Sequence, residues 1–266
     1  MKNNMKLGLI LAIIGILAGL LLAYQIASIY QTTMDGKTAG ARPDEAITVQ
    51  IVFAILGWFS LVGASLMGVA VFGFAKKMKW AWFIGTIAAT LFMLSAFFPI
   101  IPPASVGLPS PTATTFGLAT ILWFGMLFVG GVDKKIIILC FFIGIAYVLS
   151  FMDGVASISR YQTVPDALPH GIYAVTQMVN WWGGIAWAVS LMGILRRKSW
   201  VVPVGIFAAL LSIFGGYSLG GLDFYLFGKI SMFLPAPIIS TCLLIYLLLP
   251  GTQAMLEKRQ PGYEGS

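Results

Sequence analysis

The chain has 266 residues, 59% hydrophobic and 9% charged, with two cysteines and a formal net charge of +7. A soluble domain carries about 25% charged residues, so this composition, with a mean hydropathy of +0.94, excludes a water-soluble globular fold. The basic balance does not signal nucleic acid, because the cations are spread between apolar runs rather than pooled on one patch.

Crossing the hydrocarbon core takes about 20 apolar residues in a helix, and eight such runs follow one another. In lipid the backbone must satisfy its own hydrogen bonds, so the runs are expected to be helices. The short alternating segments of about 10 residues that build a membrane β-barrel are missing. The first run, Leu7 to Ile29, follows Lys2 and Lys6 and opens as a signal peptide does. Its length, the lack of a small-x-small cleavage site and an echo later in the chain favour a retained signal anchor. Gly15 and Gly19 within it form a small-xxx-small packing pair. The link from Gln31 to Ala46 holds Asp35-Gly36, Arg42-Pro43 and Asp44-Glu45, a pattern of turns and a helix cap.

The second run is Ile47 to Phe74, and it ends at Lys76-Lys77-Met78-Lys79-Trp80. The third run, Trp80 to Ile101, leads into Pro99, Pro102, Pro103, Pro109 and Pro111, which predict a stiff extended loop over Ile101 to Thr115. The fourth and fifth runs are Phe116 to Val132 and Ile136 to Met152. Asp153 to His170 then reads as an exterior link with two acids, Arg160 and the single histidine. The sixth run, Gly171 to Leu195, closes on Arg196-Arg197-Lys198-Ser199-Trp200, which repeats the first basic turn 120 positions later. The seventh run is Trp200 to Leu219, and the eighth extends from about Phe227 to Leu249.

Glycines stand three residues before both basic clusters, at Gly73 and Gly193. Ala27-Ser28-Ile29 with Tyr30-Gln31-Thr32 is echoed by Ala156-Ser157-Ile158 with Tyr161-Gln162-Thr163. These echoes predict an all-α integral membrane protein of eight transmembrane helices in two parallel four-helix repeats. The repeats would span 1–132 and 133–249, with a cytoplasmic C-terminal tail at 250–266. With the N-terminus inside, twelve cations lie on the inner side and four outside, while the acids divide three inside and six outside. That is the positive-inside asymmetry, and it puts both termini in the cytoplasm. Trp80, Trp82 and Trp200 would then mark the inner interface. Compact links and the lack of a glycosylation sequon point to a prokaryotic plasma membrane.

Cys140 and Cys242 each lie within an apolar run and read as small core hydrophobes rather than a disulfide or metal pair. No metal-ligand cluster, phosphate loop or nucleophile motif is present, and one histidine cannot ligate a haem on both faces. No cofactor and no catalytic residue are expected, and a role other than an enzyme's is favoured. No Asp, Glu, Lys or Arg is expected near mid-membrane. The polar candidates are therefore Gln177, Asn180 and Trp181 on one face of the sixth helix, Asn180 on the order of 13 Å below the helix start. His170 lies two turns outward at the mouth of that face. In the eighth helix Pro235 and Pro237 would break the helix and free the carbonyls of Ser231 and Phe233, with Lys229 reaching toward the break or toward Asp223. Antiparallel packing would bring the amides opposite those carbonyls, as a polar seam or a small cavity.

Three functions fit these expectations. The first is a non-catalytic membrane subunit or scaffold, holding a membrane-protein partner, a second copy or a lipid-soluble molecule. The second is a transporter of a small neutral or apolar solute. The third is an intramembrane enzyme acting on lipid, with His170, Asp153 or Asp223 at the outer face. The lipid bilayer is the one partner common to all three, and nucleic acid is not among them.

Overall fold

The computed structural model describes residues 4–40 and 43–258. Lys2, Arg42 and Arg259, counted above, lie outside them, as does the end of the expected tail. Among the described residues there is no strand, and the chain is helical nearly throughout. The helices are α1 (Met5–Ala39), α2 (Pro43–Ala75), α3 (Ala81–Phe97), α4 (Ile101–Ala104), α5 (Thr112–Val129), α6 (Lys134–Thr163), α7 (Ala167–Leu195), α8 (Val201–Phe227), α9 (Pro235–Leu248) and α10 (Pro250–Glu257). Among the described residues seven helices are long and apolar enough to cross a membrane. An eighth span exists if α9 and α10, bent by 73° at their junction, are taken together. This is a multi-pass helical membrane protein.

The chain falls into two compact units, Met1–Asp133 and Lys134–Ser266. In the first, α1 lies against α2, α2 against α3, α3 against α5, and α5 closes back onto α1. In the second, α6, α7, α8 and α9 follow one another in the same way, and α9 closes onto α6. Short links force each helix to run antiparallel to the next.

Small residues set the spacing inside each ring. On α1 the buried stripe runs through Gly8, Ala12, Gly15, Gly19, Leu22 and Ile26, the 3–4 spacing of one helical face. A Cβ at Gly15 would sit 2.7 Å from Met67, and one at Gly19 would sit 2.6 Å from Phe92, so the Gly15 and Gly19 pair does pack closely. Tyr24 and Leu17, on the opposite face, are exposed and suited to lipid.

The two basic turns share one geometry. Lys77 and Arg197 both have φ of 56°, the left-handed conformation. Lys77 N–H donates to Phe74 O at 3.0 Å and Met78 N–H to Gly73 O at 2.8 Å. Arg197 N–H donates to Ile194 O at 3.2 Å and Lys198 N–H to Gly193 O at 2.9 Å. This paired bonding of the last helical carbonyls is the Schellman stop. The following tryptophan folds back over the glycine, with Trp80 3.0 Å and Trp200 2.6 Å from the Cβ that Gly73 and Gly193 lack.

The structure revises several sequence-based boundaries. Helix α1 runs ten residues past Ile29, α6 runs eleven past Met152, and α8 runs eight past Leu219. Hydropathy marks where a helix lies in hydrocarbon, not where its hydrogen bonds stop, and several polar residues of these extensions find partners. Lys37 Nζ, for example, pairs with Glu45 Oε2 at 2.6 Å across the α1–α2 corner. The proline-rich stretch after α3 is not an extended loop. It forms a 3₁₀ turn, Phe98–Ile100, and the short helix α4, with prolines in the first positions, where a missing N–H costs nothing. Nor do Pro235 and Pro237 break an existing helix. Pro235 opens α9, and the segment before it is not helical.

Candidate functional site

The second unit concentrates buried polar side chains on the inward faces of α6, α7, α8 and α9. On α6 these are Ser150, Asp153 and Ser157, spaced three and four apart and all buried, hence on one face. On α7 the buried stripe is Tyr173, Thr176, Asn180, Gly183 and Trp187. On α8 it runs through Ser212, Gly215, Gly216, Leu219 and Asp223. Pro237 and Ser240 are buried on α9.

These faces meet in levels. One turn beyond the buried Ser190, whose Oγ has no partner among the described residues, is a hydroxyl node joining all four helices. The Ser150 and Ser212 hydroxyls are 2.8 Å apart. Trp187 Nε1–H is shared between Ser212 Oγ at 3.2 Å and Ser240 Oγ at 3.3 Å. Gly183 lies over the same point, since a Cβ there would be 3.0 Å from Ser212 Oγ.

One turn further, toward the Arg160 end, the helices bring up Asp153, Asn180, Gly215, Gly216 and Pro237. Asn180 packs into the gap left by Gly215, where any Cβ would collide with its amide. Pro237 fills the matching gap at Gly216, 2.6 Å from the absent Cβ. Asp153 enters by register, three residues past Ser150. Beside it Gly154 accommodates the edge of the Trp181 indole, whose plane stacks on Phe151 with centroids 6.3 Å apart. At this level hydrogen bonding fails. Asp153 Oδ2, both amide atoms of Asn180 and Trp181 Nε1 are buried with no partner among the described residues. Asp153 is 5% exposed and Asn180 0%.

Toward the Arg160 end the level is covered by an apolar cluster of Val164, Tyr173, Leu219 and Phe233. Beyond it stands a polar bridge. Arg160 Nε is 3.1 Å from Asp223 Oδ1, Tyr173 Oη–H reaches the same oxygen at 3.5 Å, and the guanidinium carbon lies 4.5 Å from the Phe227 ring centroid.

Among the residues singled out from sequence, Asn180 and Trp181 stand in the level just described, and Gln177 is half-buried beside them on α7. Asn180 faces α8, however, and Ser231 and Phe233 lie about two turns away, at the height of Tyr173. Ser231 Oγ accepts the Phe233 N–H at 3.1 Å, and its carbonyl lies 3.4 Å from Leu234 N. Pro235 begins α9 next to them. Lys229 is exposed, and Asp223 pairs with Arg160 instead. His170 packs edge-on against Tyr161 with centroids 3.8 Å apart, and its Nδ1 lies 3.4 Å from Val164 O.

Sequence reasoning missed Asp153, Ser150, Ser212, Trp187 and Ser240 as a group. Asp153 was assigned to an exterior link because the apolar run stops at Met152, yet α6 continues to Thr163 with Asp153 inside it. The available signal was the Ser150, Asp153, Ser157 spacing, which continues a helical face through the end of the run.

No protein-family model matches this chain, and neither the curated proteins nor the solved structures provide a match.

Proposed function

We propose that this protein is a membrane carrier of a small solute, built from two parallel four-helix repeats of which the second holds the binding site. The observation that carries the reading is Asp153, an acid inside a membrane-spanning helix, buried with Asn180 and without a partner for Oδ2. Ionisable groups in such a position are costly and mark solute or ion pathways. The scaffold reading drew its support from the expected lack of charge within the membrane, and Asp153 takes that support away.

The duplication is supported by contacts that recur at a fixed offset. Gly63 lies against Phe92 and Gly183 against Ser212, both pairs shifted by 120 positions. Gly85 lies against Met126 and Gly205 against Leu247, shifted by 120 and 121 positions. The copies differ in what fills the middle. Where the second unit has Ser212, the first has Phe92, whose ring presses on Gly19 and Gly63. At the position of Trp187 stands Met67, and at that of Ser240, one residue out of register, stands Ala119, both fully buried. At the level of the hydroxyl node the first copy is thus closed by apolar side chains, and one turn further it has the buried Ser60 and Ser95 where the second has Asn180 and Gly215. Repeats of this kind underlie many carriers.

In the oriented membrane both termini face the cytoplasm, the basic turns lie inside, and the Arg160–Asp223 bridge guards the outer mouth. The compact links suit a prokaryotic plasma membrane. The test is uptake by liposomes containing the purified full chain, against a panel of labelled amino acids, amines and sugars. A carrier accumulates at least one of them above protein-free liposomes and loses that activity in Asn180→Ala. A chain that transports none of the panel and co-purifies with a stoichiometric membrane protein would return the scaffold reading.

A further inference from the structure

We propose that Asp153 and Asn180 bind one monovalent metal cation, for which sodium is the probe. The inference deepens the carrier reading, and the role of the ion in coupling rests on it.

Charge comes first. Asp153 brings a carboxyl group into the core of the second unit, and among the described residues of α6 to α9 no basic side chain shares its level. The basic residue on the same helix face, Arg160, lies two turns away and is bridged to Asp223. A buried carboxylate left alone is strongly disfavoured, so the site calls for a positive occupant.

Size comes next. Asn180 is fully enclosed and Asp153 nearly so, with Gly215 and Pro237 packed at the same height. An occupant of this level is no larger than a water molecule or a dehydrated ion.

The ligand atoms then choose between a proton and a metal ion. A proton would turn Asp153 Oδ2 into a donor that can serve one acceptor only, Asn180 Oδ1 among them. A hard cation gathers several oxygens. Asp153 Oδ2 and Asn180 Oδ1 are both unpartnered acceptors, one anionic and one neutral. The Ser150 and Ser212 hydroxyls lie one turn below. A single negative ligand among neutral ones matches a monovalent charge. Gly215 lets the Asn180 amide stand at this height, where a Cβ would collide with it.

The experiment uses the purified full chain in detergent. Thermal unfolding is followed in sodium, lithium, potassium and choline chlorides at constant ionic strength, and retention of radiolabelled sodium is measured by equilibrium dialysis. A bound ion raises Tm progressively with sodium concentration relative to choline, with about one sodium retained per chain. Asp153→Asn abolishes the sodium-dependent rise, and Asn180→Leu weakens sodium binding on the order of tenfold or more. The wild-type dialysis does not depend on either variant folding. Equal Tm in all four salts with no retained sodium overturns the proposal and leaves a bridging water or a proton at Asp153. Solute uptake that persists undiminished in choline, with no sodium retained in dialysis, also overturns it while sparing the carrier reading. Sodium retention without uptake of any panel solute upholds the cation site and defeats the carrier reading.

Discussion

The Asn180–Gly215 contact makes a sharp test of packing at a single residue. Gly215→Ala forces a methyl group into the Asn180 amide, and overpacking of this kind costs about 1–3 kcal/mol. The gain in helix propensity from Gly to Ala, about 1 kcal/mol, only partly offsets it. Gly221, on the same helix, has open space where its Cβ would stand. Gly221→Ala should therefore be neutral or slightly stabilising, and thermal unfolding of the two variants in detergent should separate them by several degrees. Asp153 allows a test of opposite sign. In choline, where no small cation is available, Asp153→Asn replaces a buried carboxyl group that is costly to ionise by a neutral group of the same shape. It should raise stability, because burial penalises the acid that is ionised in the unfolded chain. A variant less stable than wild type in choline would mean that the carboxyl group has a partner in the fold.

At the scale of the helix, the basic turns show how far a sequence motif can specify geometry. Glycine, three cations and tryptophan recur, and the structure gives both copies the same left-handed residue, the same pair of carbonyl bonds and the same indole over the same glycine. Yet the left-handed residues are Lys77 and Arg197, where a Cβ costs roughly 1–2 kcal/mol. Arg197→Gly should stabilise the second unit by about 1 kcal/mol, read as a higher Tm. The long helices were less legible. Apolar runs located their middles, but α1, α6 and α8 extend well past them because bonds such as Lys37–Glu45 shelter polar residues that hydropathy assigns to water. Asp153 fell on the wrong side of that line. So did the eighth span, where Pro237 suggested a broken helix while Pro235 in fact begins one. Of the candidate site, Asn180 and Trp181 could be read from spacing on a single helix. The hydroxyl node could not, because Ser150, Ser212 and Ser240 lie on three different helices and only tertiary packing brings them together.

At the scale of the whole molecule, the oriented reading makes a labelling prediction. Single cysteines at Lys77 and Arg197 should be protected in intact cells from an impermeant thiol reagent. One at Leu168, exposed at the opposite end of the second unit, should react. Reaction at either basic turn would invert or dismantle the proposed topology. The division into units predicts further that a change at Gly85, whose Cβ would meet Met126, acts through the first unit alone. Gly85→Leu should lower Tm by an amount that adds to that of Gly215→Ala, because residues without shared partners contribute independently.

The polar stripe of α7 also bears on how the chain enters the bilayer during synthesis. Of the seven single-helix spans α7 is the least apolar, and its Asn180 amide has nothing on its own helix to satisfy it. A segment of that kind is a poor substrate for lateral release into lipid when it emerges alone. Its inward face meets α6 on one side and α8 on the other, one made before it and one after. The least apolar of these spans is thus also the one whose insertion depends most on its neighbours. Chains truncated just after Leu195 should leave α7 incompletely integrated, and chains extended through Phe227 should recover it.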